Sequence, residues 1–75
     1  MIIPMQFDSL EELYSLQKLA CRVEEPVYVH APDDSIMVDA RSFLGLFTLD
    51  FSKPVNVVTD SKYVARKLGA RVGVR

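Results

Sequence analysis

The chain contains a single histidine, His30, and a single cysteine, Cys21, and these side chains have the widest chemical repertoire. Asp33 and Asp34 follow His30 closely enough to join it in a metal site. Two aspartates after Pro32 are also ordinary residues of a tight turn. One cysteine cannot form an intrachain disulfide or a thiolate zinc cluster. We therefore predict no metal, no cofactor and no enzymatic activity, and interpret His30 as an exposed or hydrogen-bonded sheet residue.

The size and composition indicate one small globular domain spanning residues 1–75. The chain has 75 residues and a mass of 8.5 kDa, which is too small for most two-lobed enzymes. Hydrophobic residues make up 49% and charged residues 25%, a globular rather than a disordered composition. No segment approaches the roughly 20 apolar residues of a membrane helix, and the N-terminus lacks a signal-peptide pattern. We expect a cytoplasmic protein without a membrane partner.

Charge is distributed unevenly along the chain. All ten acidic residues lie within residues 1–60, whereas residues 61–75 hold five basic residues and no acidic one. A basic segment of this kind either seeks phosphate or serves solubility, so the role of residues 62–75 stays open. The formal net charge of −1 provides no overall attraction to nucleic acid.

Hydrophobic periodicity and turn residues predict seven elements in the order β-α-β-β-α-β-α. Pro4 lies in the first strand, which should therefore be an edge strand, because proline has no backbone N–H to donate to a neighbouring strand. Ser9 and Glu12 form a capping-box start for the first helix, and Gly69 is a natural stop for the third. The predicted strands cover residues 2–7, 27–31, 36–39 and 54–59, and the predicted helices cover residues 10–22, 42–50 and 61–68. The order predicts an α+β two-layer sandwich, with an antiparallel four-stranded sheet, all helices on one face and the other face open.

The stretch IMVDARSFLGLFTL at residues 36–49 resembles the centre of HPr, the phosphocarrier of the bacterial sugar phosphotransferase system. In that family a short strand, an alanine or leucine and a basic residue precede Ser-Ile-Met-Gly-Leu-Met-Ser-Leu. The strand PVNVVT at residues 54–59 stands where the family has a Glu-Val-Thr-Ile strand. The detailed match covers about a third of the chain. It implies an HPr-like open-faced sandwich in a bacterial protein related to that system.

The chain departs from the family at the phosphoacceptor loop. HPr has a histidine followed by Arg-Pro between its first strand and first helix, whereas residues 7–12 here read FDSLEE, with three carboxylates. Like charge opposes a phosphoryl group at that position, so we predict that phosphocarrier chemistry is lost. The alternative is a phosphocarrier or phospho-regulated component with an unconventional acceptor, His30 or Ser42. Ser42 aligns with a serine that is phosphorylated in many relatives of that family, but a helix also needs such a residue as its N-cap, and we interpret Ser42 first as that cap.

The second helix is the predicted protein-binding element. Phe43, Leu44 and Phe47, preceded by Arg41, correspond to positions that dock onto partner proteins in HPr. A helix against a sheet can bury only one stripe, so at least two of the three apolar side chains should be exposed. We predict a non-catalytic interaction or regulatory module. A homodimer through the open sheet face or the second helix is an alternative. Nucleic-acid binding is a less favoured hypothesis, because the strands offer few aromatic residues for base stacking.

Overall fold

The computed structural model describes the backbone of residues 1–72 and the side chains of residues 1–69. Within this range the chain is α+β, with four strands and three helices in the predicted order. The strands are β1 (Ile2–Met5), β2 (Val27–His30), β3 (Met37–Asp39) and β4 (Val55–Thr59). The helices are α1 (Leu10–Cys21), α2 (Phe43–Leu46) and α3 (Lys62–Val72). None of these helices is long and apolar enough to cross a membrane.

The strands form one antiparallel sheet in the spatial order β1-β4-β2-β3. β1 pairs with β4, with Pro4 opposite Asn56, and occupies one edge of the sheet. The prediction that the strand carrying Pro4 is an edge strand is therefore confirmed. β4 is the last strand in the chain but an inner strand of the sheet, because it also pairs with β2.

Alternate strand residues separate a covered face of the sheet from an open one. The inward residues of the two central strands are almost fully buried; they are Val27, Val29, Val55 and Val57. The helices contribute to the same core cluster through Leu13, Leu16, Ala20, Leu46, Val64 and Leu68. All three helices therefore cover one face, as predicted, and each fully buried valine or leucine contributes about 1.5–3 kcal/mol through its removal from water. The opposite face carries the half-buried residues Tyr28, His30, Asn56 and Val58.

The strands are shorter than the sequence pattern predicted. β1 ends at Met5 rather than residue 7, although Phe7 is buried and packs edge-to-face on Phe51 at a ring-centroid distance of 5.8 Å. The predicted turn after β2 is present, because the Asp34 backbone N–H donates to the Ala31 carbonyl at 2.9 Å. Strand alternation predicts which side chains face inward, whereas hydrogen bonding to the next strand decides where a strand ends.

The prediction of a nine-residue second helix over residues 42–50 is wrong. α2 has four residues, and the backbone then continues in tighter turns with i to i+3 hydrogen bonds, such as Thr48 N–H to the Gly45 carbonyl at 3.1 Å. The Thr48 hydroxyl donates to the same carbonyl at 2.7 Å. A side chain that bonds the backbone in this way competes with the α-helical pattern. The tighter turns place Leu46 and Leu49, three residues apart, in the core together.

The predicted end of the third helix at Gly69 is also wrong, because α3 continues to Val72. Glycine ends a helix when it adopts a left-handed conformation, and inside a helix it costs only about 1 kcal/mol relative to alanine. The start is as predicted, since the Ser61 Oγ accepts a hydrogen bond from the Val64 backbone N–H at 3.2 Å. The side chains of residues 70–75, which include part of the basic segment, lie outside the described residues.

Candidate functional site

The short helix α2 presents two large apolar side chains to solvent. Leu44 is 80% exposed and Phe47 is 53% exposed, whereas Leu46 between them is 0% exposed and faces the core. Phe43 is half-buried and packs against the core cluster. Two of the three predicted side chains are thus substantially exposed, as the single-stripe argument requires.

Three aromatic rings form a continuous row across α1 and α2. The Tyr14 ring of α1 meets Phe43 at a centroid distance of 5.8 Å and an interplanar angle of 74°. Phe43 meets Phe47 at 5.0 Å and 71°. Both contacts are edge-to-face, the geometry that the ring quadrupoles favour. We define Tyr14, Phe43, Leu44 and Phe47 as the α1–α2 patch.

Tyr14 is the member of the α1–α2 patch that the sequence pattern did not predict. It is exposed, and it lies one turn after the exposed Leu10 on α1. The ammonium of Lys18, one turn further on, lies 4.6 Å from the Tyr14 ring centroid, within cation–π range. In the sequence, Tyr14 flanks the apolar stripe of α1, which is the only sign that it could belong to a surface site. Its contact with Phe43 follows from the tertiary fold.

Arg41, which was predicted to take part in binding, is engaged by Asp39. The guanidinium Nη2 lies 3.2 Å from Asp39 Oδ2, and the Arg41 backbone N–H donates to Asp39 Oδ1 at 2.9 Å. The hydrogen bond from the Arg41 side chain, followed by that from its backbone, lowers the pKa of Asp39. The Arg41 carbonyl accepts from the Gln17 side chain at 3.2 Å, so α1 holds the segment that enters α2.

Ser42 caps α2. Its Oγ accepts a hydrogen bond from the Gly45 backbone N–H at 3.1 Å, and the residue is exposed. A Cβ at position 45 would lie 3.1 Å from that oxygen, which explains why a glycine suits this position. A phosphate on Ser42 would have to share Arg41 with Asp39, because the guanidinium is already paired.

The start of α1 is capped by its own side chains. The Ser9 Oγ accepts from the Glu12 backbone N–H at 3.2 Å, and a Glu12 carboxylate oxygen accepts from the Asp8 backbone N–H at 2.7 Å. These contacts occupy two backbone N–H groups, those of Asp8 and Glu12, at the start of the helix. The carboxylates also repel an anion there.

His30 lies on the open face of the sheet, away from the α1–α2 patch. Its Nδ1 lies 3.4 Å from Asp34 Oδ1, and its Nε2 is fully covered and has no hydrogen-bond partner among the described residues. No group of three or more His, Cys, Asp or Glu side chains within residues 1–69 could hold a metal ion. His30 is thus a half-buried sheet residue whose Nδ1 contacts the Asp34 carboxylate.

No family model, curated protein or solved structure matches the chain. The functional argument therefore depends on the residues and on the geometry described above.

Proposed function

We propose that this chain is a non-catalytic protein-interaction or regulatory module with an HPr-like fold, related to the sugar phosphotransferase system, which docks onto a partner protein through the α1–α2 patch. The observation that carries the proposal is the exposure of Leu44 and Phe47 on a helix whose inward position is already filled by Leu46. Contiguous apolar surface on a small domain commonly marks an interaction site.

The α1–α2 patch has the features of a prearranged binding surface. Its three rings already contact one another, so little side-chain freedom is lost when a partner covers them. Aromatic residues at the centre of an interface commonly provide most of the binding energy. Leu44 projects furthest and suits an apolar pocket on the partner. Lys18 adds positive charge at the edge, which favours a partner with a carboxylate beside that pocket.

HPr-like ancestry is supported by the order of the elements, by the helices on one face of the sheet and by the motif at residues 36–49. In this proposal Ser42 is a candidate regulatory phosphosite. It caps the helix that carries the α1–α2 patch, so a phosphate there would add charge beside apolar side chains and oppose docking.

Loss of the phosphocarrier role is part of the proposal. His30 has one ring nitrogen beside Asp34 and the other covered, which supports this loss. On incubation with radiolabelled phosphoenolpyruvate and the upstream kinase of the system, we expect no acid-labile phosphate. Stoichiometric labelling that disappears in His30→Ala would instead support the alternative of an unconventional acceptor.

The docking surface is tested by capture from a bacterial extract with Leu44→Ser and Phe47→Ser variants. The matched control is Met37→Ser, because Met37 is 59% exposed and lies on the open sheet face. A protein captured by the wild type should bind both patch variants more weakly by about 1–3 kcal/mol, with binding to the control unchanged. All three variants should unfold at nearly the wild-type denaturant concentration.

Two results would contradict the proposed surface. Equal loss of binding in Met37→Ser would move the interface to the open sheet face. Severe unfolding of Phe47→Ser would mean that this side chain belongs to the core. Sedimentation of the wild type and Met37→Ser over a range of concentrations separately tests the alternative of a homodimer through the open face.

A further inference from the structure

A second surface, distinct from the α1–α2 patch, lies on the other flank of α1. A groove of about 300 Å³ runs between α1 and α3. Its lining residues are Ser15, Lys18, Leu19, Arg22, Tyr63 and Lys67. On each helix the principal lining residues are four apart, so they share one helix face and project towards the same space.

The groove is strongly basic. Lys18 and Arg22 from α1 and Lys67 from α3 line it, and no acidic residue is among the described residues that line it. The ion pairs within residues 1–69 involve the Met1 ammonium, His30 and Arg41. None of the three cations of the groove has a carboxylate within 4 Å in this part of the chain. Uncompensated positive charge is concentrated here on a chain whose formal net charge is −1.

A favourable interaction with a helix end explains only part of the positive charge in the groove. Lys18 and Arg22 lie at the C-terminal end of α1, where cations interact favourably with the helix dipole. Lys67 lies well inside α3, and its ammonium is 5.6 Å from the Tyr63 ring centroid. The ring attracts the ammonium of Lys67, which stays exposed beside the groove.

The other lining residues complete a site of mixed chemistry. Ser15 and Tyr63 carry hydroxyl groups that can donate to an anion. Leu19 is partly buried against the core cluster and provides an apolar floor. Lysine and arginine that converge from two sides suit the tetrahedral oxygens of a phosphate group.

We propose that the α1–α3 groove binds the phosphate group of a small soluble phosphate ester, held by Arg22 and Lys67. The volume lies at the lower end of the range for small-molecule sites, which matches a phosphorylated metabolite rather than several nucleotides. A net-acidic chain also provides no long-range attraction for a polyanionic strand. The site does not depend on the proposed docking function, because Arg22 and Lys67 line the groove and are not part of the α1–α2 patch.

The test is a titration of the ¹⁵N-labelled chain with pyrophosphate at low salt, followed by NMR. Saturable shifts should be confined to amides around Ser15 to Arg22 and Tyr63 to Lys67. Arg22→Gln and Lys67→Gln should each weaken binding about tenfold, because each removes a charge-assisted hydrogen bond. Lys53→Gln is the matched control, since Lys53 is an exposed lysine outside the groove, and its affinity should equal that of the wild type.

Three results would overturn the proposal. Shifts that spread over all basic residues without saturation would mean that the groove has no specific site. An equal loss of affinity in Lys53→Gln would mean the same. Tighter binding of a short single-stranded oligonucleotide than of pyrophosphate would identify the groove as a nucleic-acid surface. Lys18, Arg22 and Lys67 are exposed, so far-ultraviolet circular dichroism should show that the variants fold.

Discussion

Helices α2 and α3 begin alike but become different surfaces. Each starts at a serine whose Oγ accepts from a backbone N–H three residues on, at 3.1 Å for Ser42 and 3.2 Å for Ser61. α2 then has four residues and exposes apolar side chains, whereas α3 has eleven and carries the basic ones. The cap starts a helix but does not decide how far the helix continues. In α3 the buried Val64 and Leu68 keep the helix on the core, whereas α2 gives way to i to i+3 turns in which the Thr48 hydroxyl bonds the Gly45 carbonyl.

The largest effect should come from truncating the buried leucine of either helix. Leu46 and Leu68 are both 0% exposed, so Leu46→Ala and Leu68→Ala should each reduce the free energy of unfolding by about 2–5 kcal/mol. Urea unfolding measures this change. Leu44→Ala is the matched control in α2 and should stay within about 0.5 kcal/mol of the wild type, because Leu44 is exposed. A costly Leu44→Ala would mean that α2 is packed differently from the arrangement described.

Removal of either serine cap should reduce the free energy of unfolding less than the leucine truncations do, and the two caps should differ from each other. Ser61 is 1% exposed, so Ser61→Ala leaves a buried N–H of α3 without its partner and should cost about 1–2 kcal/mol. Ser42→Ala should cost about 0.5–1 kcal/mol, because water can reach the freed N–H of α2. Denaturant unfolding of both variants checks the order, and Ser42→Asp should recover stability because aspartate also caps. The reverse order would show that α2 depends on its cap more than α3 does.

The smallest effect concerns pH at the entrance to α2. The pKa of Asp39 is lowered by hydrogen bonds from Arg41, so this carboxylate contributes stability above its unfolded pKa. The contribution is lost as pH falls through the lower folded pKa. It is small, because both side chains are more than a third exposed. Thermal unfolding should show Asp39→Asn less stable than the wild type near neutral pH, with the difference shrinking as the pH falls below the ordinary aspartate pKa of about 3.9. A constant difference would rule out this ionisation as the cause.

Much of the fold could be predicted from the sequence because it depends on local rules. Pro4 indicated an edge strand, alternation along β2 and β4 indicated the buried face, and the serine caps located the helix starts. The ends of α2 and α3 could not be predicted in the same way. Gly69 is compatible with a stop or with continuation, and only packing against the rest of the fold decides between them.

The candidate surfaces were predictable only where one element carries them. Leu44 lies in α2 and Phe47 is its C-cap, and this short segment holds too many apolar residues for all of them to face the core, so the exposure of some of them was predictable. Tyr14 reaches the same surface from α1, about 30 positions earlier in the chain. The α1–α3 groove likewise joins Arg22 and Lys67, whose proximity follows from tertiary structure alone.

The inner position of β4 has a consequence for how the chain folds. β1 pairs with β4 and β2 also pairs with β4, so the first strand cannot join the sheet until the last strand is available. Contacts between distant parts of a chain form slowly, since a long loop must close before they are gained. During synthesis, β1 and its apolar residues should therefore remain without a strand partner until Val55 to Thr59 leave the ribosome. A nascent chain stalled before that point should be sensitive to protease, whereas the chain that includes β4 should become resistant.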